Sequence, residues 1–239
     1  WENWWKVSED GTMPKHIYFM GKDNIPFHTV IWPAIIMGIN STHSGRKISH
    51  LVKPGDLALE SNVSSNEYLM LQGGQFSKSR KHAVWLPSFL EKYDADSLRY
   101  YLSINMPETH DTDFRWEEFV DRVNNELIGT YGNFVHRVMT LTHRLTHTNS
   151  NPLSHYDDTD SHLKIIEESQ AIIESAISSM ERQRFKEALR SIMGIAQIGN
   201  VLLQNAAPWK HISSEESKER QQSLSALAMA WRLCRTLSI

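Results

Sequence analysis

The chain has 239 residues, 40% of them hydrophobic and 22% charged, with a formal net charge of −3. That length can bury a real core in one large or two modest domains, and that balance excludes a disordered chain and a membrane-spanning apolar run of about 18 residues. One cysteine, Cys234, excludes an internal disulfide and a cysteine-cluster metal site; the net charge leaves any nucleic-acid binding to local patches.

Trp1-Glu2-Asn3-Trp4-Trp5 brings neither an initiating methionine nor a signal-peptide pattern, so the sequence reads as a piece of a longer chain. The run "HIYFM" (16–20), β-branched and aromatic and ending at Gly21, predicts a short buried strand. From Pro26 to Met37 the spacing of Phe27, Val30, Ile31, Ala34 and Ile35 predicts a helix that Pro33 kinks or breaks. Residues 57–72 read as extended, with "EYLMLQ" the best strand, leading into a Gly73-Gly74 turn.

After Pro87 helical periodicity takes over. Phe119, Val123, Leu127, Tyr131, Phe134, Val135, Val138 and Leu145 predict one long amphipathic helix from near Asp113, weakened at Gly132. A loop is expected over 149–160. Leu163, Ile166, Ile173, Ile177 and Met180 mark a second helix, 185–204 a third, and 214–238 a fourth capped by Ser214. The fold class expected is α/β plus all-α: part of a nucleotide-binding sheet followed by a helical bundle.

Two loops carry groups suited to phosphate chemistry. "FMGKDNIPFH" (19–28) sets glycine, lysine and aspartate at a strand end, where a backbone can approach a nucleotide and a carboxylate can accept from ribose hydroxyls. "GGQFSKSRK" (73–81) sets hydroxyls and cations behind two glycines. Either, taken alone, is also an ordinary solvated turn. In the helical half, Asn133 and Arg137 stand four residues apart, about 40° around one helix, and Trp209 follows Pro208. They read either as an RNA-base site or as a surface polar pair and a packed tryptophan.

Together these stretches resemble class I aminoacyl-tRNA synthetases and, within them, the methionyl-tRNA synthetases. The likeness rests on "GKDNIPFHTVIWPA" (21–34), "FSKSR" (76–80) as a form of the KMSKS loop, "DADSLRYYL" (94–102), "MPETHDTDF" (106–114), "GNFVHR" (132–137) and "NAAPW" (205–209). The wording of the first and fourth is similar to the archaeal and eukaryotic branch. The resemblance implies a partial Rossmann-type catalytic domain over 1–86, a junction over 87–113 and a helical anticodon-binding domain over 114–239.

It also implies roles. Lys78 would be the cation on the ATP triphosphate, with Ser77 and Ser79 shaping its loop. Gly21, Lys22 and Asp23 would meet the nucleotide, and Phe27, His28 and Ile31 would line a methionine pocket, although a lone histidine beside a strand, such as His28, is more often a structural group. Asn133, Arg137 and Trp209 would read a CAU anticodon. The substrates implied are methionine, ATP with Mg2+, and tRNA(Met), in the cytoplasm.

The HIGH motif and the zinc-binding insertion of the family do not occur in these residues, are expected upstream, and leave no metal site expected here; the chain by itself is accordingly expected not to form adenylate. Gln75 and Lys81 depart from the usual KMSKS loop, which has lysine at the first position and commonly glycine or asparagine at the second. The rival readings are a class I synthetase for isoleucine, valine, leucine or cysteine, and a non-catalytic tRNA-binding module.

Overall fold

A computed structural model describes residues 1–146, 154, 157, 159–211 and 217–237. The chain divides into two compact units, Trp1–Met70 with Pro107–Thr112, and Leu71–Met106 with Asp113–Ile239.

In the first unit a short helix, α1 (Glu2–Trp5), precedes strand β1 (Ile17–Gly21), whose parallel partner is β2 (Asn62–Asn66), in register from Ile17 opposite Asn62 to Gly21 opposite Asn66. Parallel strands cannot be joined by a tight turn, so the chain crosses over through helix. A 3-10 turn (Lys22–Asn24), a π-helical segment (Phe27–Ile31) and α2 (Trp32–Ser44) form that crossover. Pro33 stands at the second residue of α2, where the π-helical segment gives way to α-helix, and having no N–H it donates no helical bond to the turn before it. Asn40 ties α2 to the returning chain, its Nδ2 donating to the Leu57 carbonyl (2.9 Å) and its Oδ1 accepting from the Leu57 N–H (2.8 Å).

Two expectations change here. The strand is half-buried, with Phe19 50% exposed. In the helix that follows, Phe27, Val30, Ile31 and Ile35 are exposed, whereas Pro33, Ile36 and Asn40 are buried. The segment is apolar nearly all round, so periodicity alone could not say which face packs.

A three-stranded sheet has the order β4-β3-β5, with β3 Leu69–Leu71, β4 Gly74–Gln75 and β5 Thr112–Phe114. Gln72 and Gly73 between β3 and β4 both have positive φ (48° and 77°), the signature of a tight two-residue hairpin turn. The turn therefore falls one residue earlier than the glycine pair suggested. β5 is also a strand in a region expected to be helical throughout.

The second unit continues with α3 (Leu86–Leu90), α4 (Ala95–Ile104) and α5 (Trp116–Arg122). Asp94 caps α4 by accepting from the Ser97 N–H at 2.7 Å. Phe89, Tyr101, Phe114 and Phe119 are buried around one another, with Tyr101 edge-on to Phe114 at 5.1 Å between ring centroids. The expected long helix does run on from α5 to α6 (Asn133–Thr146), but through a ten-residue π-helical stretch, Val123–Gly132. Glycines make the widened turns possible: a Cβ at Gly129 would stand 2.9 Å from the Asn124 carbonyl oxygen, and one at Gly132 3.3 Å from that of Leu127, each five residues back.

Helices α7 (Asp160–Glu181), α8 (Phe185–Ala206), the short α9 (Pro208–His211) and α10 (Lys218–Thr236) complete the described part. The core joins Phe134, Val138, Leu141 and Leu145 of α6 to Ile195 and Leu203 of α8 and Leu224, Leu227 and Leu233 of α10. Each such side chain contributes about 1.5–3 kcal/mol by leaving water. Gly199 sets the spacing of α6 and α8, because a Cβ there would lie 2.2 Å from the buried Phe134 ring.

In α7, Ile166 and Ile173 pack against this core as their spacing predicts, but Leu163, Ile177 and Met180 are exposed, while His162, Ser169, Ala176 and Ser179 are buried. Burial of small and polar residues on α7 is something that hydrophobic spacing does not report. The cap of α10 is Ser217, whose hydroxyl accepts from the Arg220 N–H at 3.1 Å. Ser214 and most of the expected 149–160 loop lie outside the described residues.

Candidate functional site

The 76–80 stretch is the tip of a closed loop. Ser77 and His82 exchange both backbone N–H···O bonds at 2.9 Å, and Lys81 between them holds φ +55°. This explains why glycine or asparagine suits position 81: the left-handed region costs other side chains about 1–2 kcal/mol. The Ser77 hydroxyl lies 3.3 Å from that of Ser79 and accepts from the Arg80 N–H at 3.3 Å, so Ser77 organises the turn. The base is pinned by His82, whose Nε2 meets the Leu71 carbonyl at 2.8 Å. Gly74 leaves room for that ring, since a Cβ there would sit 3.1 Å from Nε2. Lys78 stands exposed at the tip with no ion-pair partner among the described residues.

At the end of β1 the three positions behave differently. Gly21 admits the Asp23 carboxylate, because a Cβ there would lie 2.9 Å from Asp23 Oδ1. Asp23 is exposed and takes a long contact from Asn24 Nδ2 at 3.4 Å. Lys22 is committed elsewhere: its ammonium donates to Glu67 and to Asp111 (3.3 Å) and sits 4.5 Å from the Tyr68 ring centre. The Glu67 hydrogen bond holds the Lys22 pKa above its ordinary value. Asp111 is held below its own, chiefly by accepting the Tyr68 N–H at 2.9 Å and then by Lys22.

Phe27, His28 and Ile31 share the π-helical segment. Phe27 and Ile31 are exposed, at 57% and 46%. His28 has a structural partner, its Nδ1 lying 3.0 Å from the Asn24 carbonyl, and its ring is 5.9 Å from that of Tyr18. The Tyr18 hydroxyl in turn accepts from Trp32 Nε1 at 2.9 Å, an aromatic pair that the sequence did not single out.

The helical unit brings its three candidates together. Arg137 lies over the Trp209 ring, with the guanidinium carbon 4.9 Å from the centroid. Ala207, at φ +41°, ends α8 in a left-handed turn, and Pro208 then starts α9, which carries Trp209. Asn133 Nδ2 and Arg137 Nη1 both donate to Asn200 Oδ1, at 3.2 and 3.4 Å, and Arg137 Nη2 reaches Gln204 Oε1 at 3.5 Å. Asn200 and Gln204 escaped the sequence reading, although their i,i+4 spacing on α8 mirrors that of Asn133 and Arg137 on α6. A planar cation on an indole beside amide groups can stack on unpaired bases and bond to their edges.

Among the described residues no cluster of three or more histidine, cysteine, aspartate or glutamate side chains could hold a metal ion, and no helix is long and apolar enough to cross a membrane.

The family model described as tRNA synthetases class I (M) matches residues 1–139. A methionine-tRNA ligase of Roseiflexus sp. (strain RS-1) is 39% identical over 219 residues, which are 91% of this chain and 34% of that protein. One of Dehalococcoides mccartyi (strain ATCC BAA-2100 / JCM 16839 / KCTC 5957 / BAV1) is 41% identical over 217 residues, 91% of this chain and 35% of that protein. The chain spans about a third of the length of the curated relatives it matches. Among solved structures, Mycobacterium tuberculosis methionyl-tRNA synthetase in complex with methionyl-adenylate superposes with a TM-score of 0.74 at 20% identity, over 96% of this chain and 42% of that one, a likeness of fold. With the family model matched over more than half its length, the chain belongs to the class I tRNA synthetases (M), the methionyl-tRNA synthetases.

Proposed function

We propose that this chain supplies the KMSKS-like loop and the anticodon-reading bundle of a methionine-tRNA ligase. In that reading a methionine carboxylate oxygen attacks the α-phosphorus of ATP, pyrophosphate leaves, and the methionyl group then passes to tRNA(Met). Negative charge grows on the phosphate oxygens during the first step, and the uncommitted ammonium of Lys78 is suited to stabilise it. Ser77 shapes the turn that presents Lys78, and Ser79 contacts Ser77. Asp23 would accept from the ribose, beside Gly21. Lys22, already bound to two carboxylates, would hold the turn in shape rather than carry phosphate. Phe27, His28 and Ile31 would contribute to the methionine pocket, and ATP would enter with Mg2+; the zinc site of the family would belong to residues upstream. The proposed domains are 1–86, 87–113 and 114–239, in a cytoplasmic enzyme.

The observation that carries this reading is the meeting of Asn133 and Arg137 with Trp209, about seventy positions further along the sequence, in one polar and aromatic cluster. The test is a titration of the chain with a labelled hairpin bearing the CAU anticodon and with hairpins changed at one anticodon base, at several salt concentrations, because phosphate contacts alone give sequence-blind binding. A preference for CAU that persists as salt rises is the expected result. Equal affinity for all hairpins in a folded chain would overturn the anticodon assignment.

A further inference from the structure

We propose that Asn200 is a positioning residue for base reading, fixing the amide of Asn133 in one orientation and holding Arg137 beside it. The inference rests on the anticodon-reading role given to Asn133 and Arg137 above. It arises from the change of helical register just before Asn133. The Asn133 backbone N–H is shared between the carbonyls of Ile128, five residues back, and Thr130, three back, so the regular i−4 bond is absent at this junction. Asn200 Nδ2 donates to that same Thr130 oxygen at 2.9 Å. With its nitrogen so directed, the Asn200 amide turns Oδ1 toward α6, where the oxygen accepts from Asn133 Nδ2 and Arg137 Nη1.

Delivery of Asn200 to this point follows from its neighbour. Gly199 brings the α8 backbone against the buried Phe134 ring, and Asn200 is the next residue. The consequence for recognition is specific. An unrestrained asparagine presents its donor or its acceptor to a base by turning over, and so reads either kind of edge. With one Nδ2 hydrogen engaged by Asn200 the amide can no longer turn over without losing that bond, and Oδ1 of Asn133 has no partner among the described residues. At C4 of a pyrimidine or C6 of a purine, a free acceptor favours the amino group of cytosine or adenine over the carbonyl oxygen that uracil or guanine carries there. Asn200 thereby contributes to discrimination more than to affinity.

The experiment measures hairpin binding by the 239-residue chain and its Asn200→Ala and Asn200→Asp variants, with CAU, UAU and CGU anticodons, alongside thermal unfolding of each protein. The aspartate variant keeps the oxygen acceptor for Asn133 and Arg137 while losing the donor to Thr130. In Asn200→Ala the preference for CAU over UAU or CGU is expected to fall about tenfold with the melting temperature little changed, and Asn200→Asp should recover most of it. Unchanged preference in Asn200→Ala overturns the inference. So does a loss shared equally by both variants, which would assign the effect to the bond with Thr130 and not to the acceptor, or one that tracks the melting temperature, which would assign it to packing. Failure of the anticodon reading itself would be seen separately, as the absence of any preference in the unsubstituted chain.

Discussion

Arg137 covers one face of Trp209, with 4.9 Å between the guanidinium carbon and the ring centroid, and reaches Asn200 from the same position. In the proposed role the cation and the indole are matched before RNA binds, so that a base would stack on this pair without paying again to order two long side chains. Trp209→Ala should weaken binding of the CAU hairpin by tenfold or more, in line with about 1–3 kcal/mol for a stacked base, with Trp209→Phe retaining part of it. Arg137→Lys keeps the charge and loses the planar face, so it should behave closer to Arg137→Ala than to the parent. Fluorescence anisotropy of a labelled hairpin measures both. A Trp209→Ala chain that binds as the parent does would remove the indole from the site.

The second prediction concerns Lys81. Its φ of +55° is strained for any residue with a Cβ and most for a β-branched one. Lys81→Gly should leave the loop intact or firmer, and Lys81→Val should loosen it by about 1–2 kcal/mol. Amide exchange at Ser77 and His82, whose N–H groups close the loop, reads this locally. Faster exchange in the glycine variant than in the valine variant would contradict the strain argument.

The third concerns the approach of α6 and α8. Gly199→Ala places a methyl 2.2 Å from a ring with no exposed surface, and overpacking of this kind costs about 1–3 kcal/mol. Thermal unfolding should fall accordingly. Combining the change with Phe134→Leu should restore part of the loss; strict additivity of the two substitutions would mean that they do not share the contact.

The fourth is a pH dependence. The Asp111 carboxyl lies below its ordinary value of 3.8, so its stabilising contribution is complete above that pH and is lost as pH falls through the lowered folded value. Lys22 has the opposite sign: raised above 10.5, it contributes fully below that pH and loses the contribution as pH climbs through its folded value. Asp111→Asn should flatten the acid limb of the unfolding profile without altering the neutral plateau's dependence on pH. An acid limb of unchanged slope in the variant would place the titration elsewhere.

Much of this protein is legible one segment at a time. The strand end at Gly21, the course of α8 and the motif order that marks the family all depend on neighbouring residues, and steric preferences act over that range. The same holds for the shared face of Asn133 and Arg137, which follows from helical pitch.

What the tertiary structure alone decided is which groups those residues meet. Lys22 meets Asp111, 89 positions away, and Asn133 meets Asn200, 67 positions away. The packed face of α2 and the buried small residues of α7 belong to the same category, as does the π-helical register before Asn133. Periodicity reports how apolar a face is, not whether another element covers it, and a hydrogen bond between distant residues exists only once packing has set the backbones a few ångströms apart. The chemistry of the segments is therefore written locally, while their partners depend on the approach of helices, down to the missing Cβ of Gly199 that sets Asn200 beside Asn133.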